Sequence, residues 1–444
     1  MDQGRTARPG QELQQDGAGQ AEHADPGLRP EGRRGSRLSI ANKVNYVIVN
    51  QPSYLTGFQQ GAGQDGSGHL EILPRMAGAQ HLRSSYLSKP FADANFGFFG
   101  TTLTGVTEQE PSWKRGVALV EGAMGEAVGK QYVEQYFPAQ RKARMEVLVK
   151  NLLEAFRLSI DTLDWMGPAT KKEAQDKLAK FTPKIGYPDK WLDYTKLTVA
   201  RDDLVGNVMR SNAFDYNRNL NKLGKPIDRA EWGMTPQTVN AYYNPQLNEI
   251  VFPASILQPP FFDMNADDAA NYGGIGAVIG HEISHGFDDQ GSQFDGNGNL
   301  RDWWTADDRA KFKAKTAVLV SQYGSYSPVE GYNVNGELTL GENIGDNSGV
   351  AIAYKAYKLS LGGKTAPVID GLTGDQRFFL GFAQVWRIKM REAKQIQQVK
   401  TDPHSPGMFR ANGTLKNQPG FYEAFGVKEG DKMYLAPKDR VSIW

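Results

Sequence analysis

The sequence predicts a mainly α protein with a small β component, and three observations carry that expectation. From Trp113 to Phe181 apolar residues recur at threes and fours, the period of helices with one buried face. "NEIVFPASILQPPFF" (Asn248 to Phe262) reads as one short strand followed by a proline-bounded turn. "YGGIGAVIGHEISHG" reads as a buried, glycine-tolerant helix that ends at Gly286, a residue suited to a helix C-terminus.

Taken in order, residues 1–42 are rich in Gly, Arg, Gln and Pro and poor in aromatic and β-branched residues, a composition that does not bury itself. We expect a disordered or non-native segment there. A second polar, glycine-rich stretch, Gly61 to Gln80, is expected to be a loop or a scar. Within residues 43–200, Val117, Val120, Met124 and Val128 form one helical series, and Met145, Leu148, Leu152, Phe156 and Ile160 form another. Pro138 and "MGPAT" (Met166 to Thr170) punctuate these, which predicts three helices in an all-α unit. Residues 201–444 form the second unit, with the strand, the glycine-tolerant helix, a helix on "GENIGDNSGVAIAYKAYKLSL" and another on "DGLTGDQRFFLGFAQVWRIKMREAKQ". There is no internal repeat.

Composition narrows the function. Lysine plus arginine number 51 against 50 aspartate plus glutamate, so no field draws the chain to nucleic acid or anionic lipid, and neither is expected as a partner. The absence of cysteine leaves nitrogen and oxygen as the ligands for any metal. No run of about 18 apolar residues offers a membrane span, and no apolar core follows a basic start as in a signal peptide.

Two of the six histidines, His281 and His285, stand four residues apart in "HEISH". On a helix they project from one face, one turn apart, where two imidazoles can share a cation. Glu282 lies about 100° round, beside the metal and off it, placed to take a proton from a zinc-bound water. The plain alternative is two histidines on a surface helix. A catalytic zinc takes three protein ligands, and "GENIGD" offers Glu342, with Asp346 one turn later to orient a ligating histidine through its other ring nitrogen. A solvated helix face is the ordinary reading of such spacing, but this helix is apolar and glycine-rich.

With these motifs in place, the sequence resembles the neprilysin family of zinc metalloendopeptidases, which includes endothelin-converting enzyme and bacterial oligopeptidase O. The resemblance covers most of the chain from about Lys43, apart from Gly61 to Gln80. It rests on "VNAYYNP", "IVFPASILQPPFF", "NYGGIGAVIGHEISHGFDDQG", "LTLGENIGDNSG", "FFLGFAQVWR", "HSPGMFRANGTLKN" and the final tryptophan. It implies a thermolysin-like (gluzincin) catalytic domain over 201–444 and a partial all-α cap domain over 43–200. It also implies one Zn2+ per chain, held by His281, His285 and Glu342, with Glu282 as general base and Asp346 holding His281. His404 then matches the transition-state stabiliser, although beside Pro403 it also reads as a turn residue. Arg410 matches the arginine that binds the substrate's main chain. Asn240 and Ala241 match the positions that grip a peptide as an added strand. Ile256, Phe261, Val278 and Trp386 match the apolar pocket for the side chain after the cleaved bond, and all four also fit plain core positions.

The expected activity is zinc-dependent hydrolysis of oligopeptides on the amino side of hydrophobic residues. The competing expectation is a zinc-binding or peptide-binding remnant impaired by a truncated cap, since residues 1–40 and 61–80 look like out-of-frame translation. A zinc aminopeptidase is disfavoured, because no "GAMEN"-like motif is present. The family resemblance implies an extracytoplasmic location, although the chain carries no signal peptide pattern. Three weaker motifs are set aside. "FDGNGNLRDWW" has Leu300 and Ala306 where a calcium loop needs glycine and glutamate, and is expected to be a turn. "GGKT" at Gly362 lacks the earlier glycine of a phosphate loop, and "NGT" at Asn412 is a glycosylation pattern without a secretory signal.

Overall fold

The computed structural model describes residues 86–444. The expectations for 1–42 and for Gly61 to Gln80 lie outside the described residues. The chain divides into two compact units. One comprises Asp193–Asp228 with the described residues up to Gly97, and the other Phe98–Leu192 with Arg229–Trp444. The boundary drawn near residue 200 from sequence therefore falls inside the smaller unit, whose helices are α1 (Lys89–Asn95) and, later in the chain, Leu204–Leu220.

In the larger unit the three helices expected between Trp113 and Phe181 are present as α2 (Ser112–Tyr136), α3 (Ala139–Thr162) and α4 (Pro168–Ala179). Pro138 caps α3, and Pro168 starts α4, where a missing N–H costs nothing. All five expected core residues of α3, Met145, Leu148, Leu152, Phe156 and Ile160, are buried. Helix α2 departs from the pattern. Met124 has non-helical angles (φ −141°, ψ 36°), and the buried residues are Gly125, Gly129 and Val133. Gly125 and Gly129 press on Thr235 and Pro236, closer than a Cβ would permit, while Val117 and Val120, which lie before the break at Met124, face solvent.

Strand β1 (Thr182–Gly186) pairs parallel with β3 (Glu249–Pro253), and β2 (Tyr242–Asn244) pairs antiparallel with the other side of β3. The order β1-β3-β2 buries β3 completely and leaves β2 at an edge. Glu249 is buried in β3 and is paired across β1 with Lys184 at 2.8 Å.

Counting the smaller unit's Leu204–Leu220 as α5, the helices that follow in the larger unit are α6 (Asp268–Asn271), α7 (Ala277–His285), α8 (Ala306–Gly324) and α9 (Leu340–Ser360). The long segment after Asp370 is two helices rather than one, α10 (Gly374–Val385) and α11 (Glu392–Thr401), with a break at 386–391. Helices α12 (Gly407–Leu415) and α13 (Pro419–Phe425) complete the fold. "FDGNGNL" is a turn, with Asp295 Oδ1 accepting the backbone N–H groups of Asn297 and Asn299.

The C-terminal Trp444 is buried among Phe156, Trp165, Phe287, Trp304 and Phe312. The segment before it is tied to the core by Trp165 Nε1–H to the Ile443 carbonyl (3.0 Å) and Asn347 Nδ2–H to the Val441 carbonyl (2.9 Å). The core thus ties α3, α7 and α9 to the chain's end.

Lys177 of α4 is a buried amine, 1% exposed. Burial pulls its pKa down to about 7, against the opposing charges of Asp288 and Asp295. An unfolded lysine titrates near 10.4, so between these values the unfolded chain holds a proton that the folded chain releases, and stability rises with pH. Relative to Lys177→Met, the wild-type chain is therefore expected to gain up to about 1.4 kcal/mol per pH unit from pH 7 towards pH 10 in urea titrations. A stability difference that stays flat over that range would show the amine to be charged throughout.

Candidate metal and catalytic site

The site forms where α7 crosses α9. Two glycines let the helix backbones touch: a Cβ on Gly280 would sit 2.6 Å from the Gly349 carbonyl oxygen, and one on Gly349 would sit 2.6 Å from His281 N. Just before α7, Gly273 and Gly274 in a short π-helical turn (Tyr272–Gly276) admit the Phe378 and Phe261 carbonyls. These contacts explain why the glycine-rich motif folds as a buried helix.

The crossing brings three expected ligands together. Glu342 Oε2 lies 3.2 Å from His281 Nε2, and Oε1 lies 3.6 Å from His285 Nε2. One donor atom from each residue falls within 4.8 Å of the others, and among the described residues this is the group suited to hold a metal. The residues fit zinc on three counts. Nitrogen and oxygen donors in a His, His, Glu set are those of zinc hydrolases. Donors about 2.0–2.1 Å from a tetrahedral ion stand about 3.3 Å apart, near the spacings seen here. Glu342 Oε2 is also buried without a hydrogen bond, as is Glu282 Oε2.

Each histidine is oriented through its other nitrogen. His281 Nδ1 meets Asp346 Oδ1 at 2.9 Å, and His285 Nδ1 meets Asp288 Oδ2 at 2.8 Å. Asp288 did not figure in the sequence reading. Its signal was "HGFDD", a carboxylate three residues after the second histidine, which one further turn brings back to the ring. Asp346 in turn receives Arg410 through two parallel bonds of 2.6 and 2.7 Å. The guanidinium stacks on the Trp386 ring, 4.0 Å from its centroid.

The charges respond to one another. Burial alone would push the His281 imidazole down, but the Asp346 and Glu342 carboxylates outweigh it and raise the pKa to about 10. Burial likewise works against the charge of Glu342, yet His281, His285 and Arg410 hold that carboxyl far below its usual range. Asp346 is lowered in the same way, with burial overcome by Arg410 and His281. Glu282 moves upward, because burial dominates and neighbouring cations only partly compensate. The carboxylates thus favour a proton on His281 that must leave before its nitrogen can ligate, so metal uptake there releases a proton.

His404 stands at the open side, its side chain 44% exposed, with Nε2 3.2 Å from Glu342 Oε2. Asp402 Oδ1, a second group absent from the sequence reading, lies 2.8 Å from His404 Nδ1. Ser405 fastens the same turn to α9 by donating to Asn343 Oδ1 at 2.8 Å. His404 is thus held beside Glu342.

A cavity of about 520 Å³ joins these groups. Every residue singled out from the sequence lines it: His281, Glu282, His285, Glu342, Asp346, His404, Arg410, Asn240, Ala241, Ile256, Phe261, Val278 and Trp386. Phe382 and Val385 of α10 add to its apolar wall. Asn240 and Ala241 immediately precede β2, one of the two edge strands of the sheet.

The profile of peptidase family M13 matches residues 240–441, and that of the family's N-terminal region matches 33–188. The chain belongs to peptidase family M13. Human neprilysin is 38% identical over 421 residues, which are 92% of this chain and 55% of neprilysin. The crystal structure of Mycobacterium tuberculosis zinc metalloprotease Zmp1 in complex with inhibitor superposes with a TM-score of 0.88 at 53% identity, covering 91% of this chain and 62% of that one. PepO from Lactobacillus rhamnosis gives 0.75 at 36% identity, covering 81% and 56%. The chain therefore spans little more than half the length of the curated relatives it matches. The mostly helical fold, consistent with a thermolysin-like catalytic domain, is that of the family.

Because a Cβ on Gly349 would meet the α7 backbone at Ala277 and His281, Gly349→Ala should push α7 from α9. The expected cost is about 1–3 kcal/mol in chemical denaturation of the metal-free chain. A loss of zinc affinity of roughly tenfold or more should accompany it, as for a displaced ligand support. Unchanged stability and affinity would show that the crossing has slack.

Proposed function

We propose that the chain is a zinc-dependent endopeptidase that hydrolyses oligopeptides on the amino side of hydrophobic residues. The observation that carries this reading is the His281, His285 and Glu342 donor cluster with the orphaned carboxylate of Glu282 beside it, all on one cavity. Zinc, when bound, polarises the scissile carbonyl and acidifies the attacking water. Glu282, its proton affinity raised by burial, takes that water's proton and delivers it to the leaving amine. His404, held by Asp402, faces the place where negative charge develops and donates a hydrogen bond there. Arg410 is pinned by Asp346 and Trp386, which presents it to the substrate's main chain without further ordering. An extended peptide adds to the edge at Asn240, Ala241 and β2. The side chain after the cleaved bond enters the wall formed by Ile256, Phe261, Val278 and Trp386.

Oligopeptides are the substrate class, because an added strand suits extended chains. The extracytoplasmic location expected for the family belongs to this proposal, and among the described residues no helix is long and apolar enough to cross a membrane. A binding-only remnant has one observation in its favour: Trp113, Val117 and Val120 of α2 are 67%, 53% and 49% exposed. Cleavage of a quenched fluorescent peptide, with and without chelator, separates the two readings.

Glu282→Gln should keep zinc and lose turnover, whereas Glu342→Gln should lose metal as well, because a neutral amide is a poor ligand. Activity of Glu282→Gln within about tenfold of wild type, a barrier change of only about 1.4 kcal/mol, would exclude Glu282 as the base. His404→Ala should retain zinc and lower kcat and kcat/KM together by about 100-fold or more. A raised KM at unchanged kcat would make His404 a binding residue.

A further inference from the structure

Among the described residues, the buried amine of Lys177 takes no part in the proposed catalysis. Lys177 of α4 donates from Nζ to the carbonyls of Gly291 (2.7 Å) and Phe294 (2.8 Å), and the ring centroids of Phe287 and Tyr243 lie 5.6 and 5.7 Å away. Both carbonyls belong to the turn that follows Asp288. Within that turn Asp288 Oδ1 accepts the N–H groups of Gln290 (2.8 Å) and Gly291 (2.7 Å), while its Oδ2 meets His285 Nδ1. Gly291 is the link, since its N–H holds Asp288 and its carbonyl is held by Lys177. It is also tight against the end of α7, where a Cβ would sit 1.8 Å from the His285 carbonyl oxygen.

A lysine that merely filled volume here would be inferior to a hydrocarbon of the same length, because burying an amine is costly. Its two hydrogen bonds give it a reason to be present: the Gly291 carbonyl already accepts from Phe294 N–H and the Phe294 carbonyl from Trp303 Nε1–H, and Lys177 adds a second donor that ties the two carbonyls together. We propose that Lys177 is a positioning residue for the metal: it fixes the turn that holds Asp288 against His285, and so aims His285 Nε2 at the cation. The inference rests on the zinc reading above. Control then reaches the site from α4, through Gly291 and Asp288, with no direct contact between Lys177 and a ligand.

The test measures zinc affinity of the full chain by competition with a chelating dye, for wild type, Lys177→Met, Asp288→Asn and the double variant. Lys184→Met serves as a control, because it removes another largely shielded lysine whose partners, Glu249 and the Glu231 carbonyl, lie outside the site. Lys177→Met is expected to weaken zinc binding by about 10 to 100-fold, the effect typical of groups that orient a ligand. The double variant should then bind within about twofold of Asp288→Asn alone, because both act through one carboxylate. Lys184→Met should leave affinity within about threefold of wild type even where it lowers the melting temperature as much. Unchanged affinity in Lys177→Met, additive losses in the double variant, or an equal loss in Lys184→Met would each overturn the inference. Should Lys177→Met fail to fold, Lys177→Gln, which keeps a donor on a shorter chain, takes its place under the same criteria. Wild-type chain that takes up no zinc would overturn the zinc reading itself, and the inference with it.

Discussion

The site depends on one contact, the crossing of α7 and α9 at Gly280 and Gly349. With no Cβ between them the backbones approach until Gly349 lies over the amide of His281. At that separation a glutamate and an aspartate one turn apart on α9 reach both edges of the ligand set. Glu342 meets the two imidazoles from the metal side, and Asp346 meets His281 from behind. Any larger side chain at the crossing would move both carboxylates together.

Around that contact the charges form a closed set. Asp346 is shared between His281 and Arg410, Asp288 serves His285, and Asp402 serves His404. Each ring nitrogen not facing the ligand centre is thus occupied by a carboxylate, which fixes the orientation and raises the basicity of the nitrogen that does face it. Burial is what makes these pairings matter. It lifts Glu282, which has no such partner, and fails to lift Glu342 and Asp346, which have cations beside them. Two carboxylates of one site are thereby separated in proton affinity, as acid–base work requires.

Much of this was legible in the sequence because it is local. The spacing of His281, Glu282 and His285, and that of Glu342 and Asp346, follow from helical geometry alone. Likewise the five core residues of α3 lie on one stripe. The parts that were not legible depend on neighbours far along the chain. Val117 and Val120 recur at core spacing but face solvent, and the break at Met124 separates them from the stretch where Gly125 and Gly129 pack on Thr235 and Pro236. The segment after Asp370 keeps an apolar period through Trp386, yet the helix stops there, and that ring lies under Arg410. Asp288 and Asp402 read as ordinary turn residues until the turns that hold them are seen.

The arrangement is built to hold one catalytic zinc. It is tested most directly by the zinc content of the purified chain measured beside its cleavage of a quenched fluorescent peptide, before chelation, after it, and after zinc is returned. The expected result is one zinc per chain, with cleavage lost on chelation and restored with the metal. Stoichiometric zinc without cleavage, or cleavage indifferent to the chelator, would contradict it.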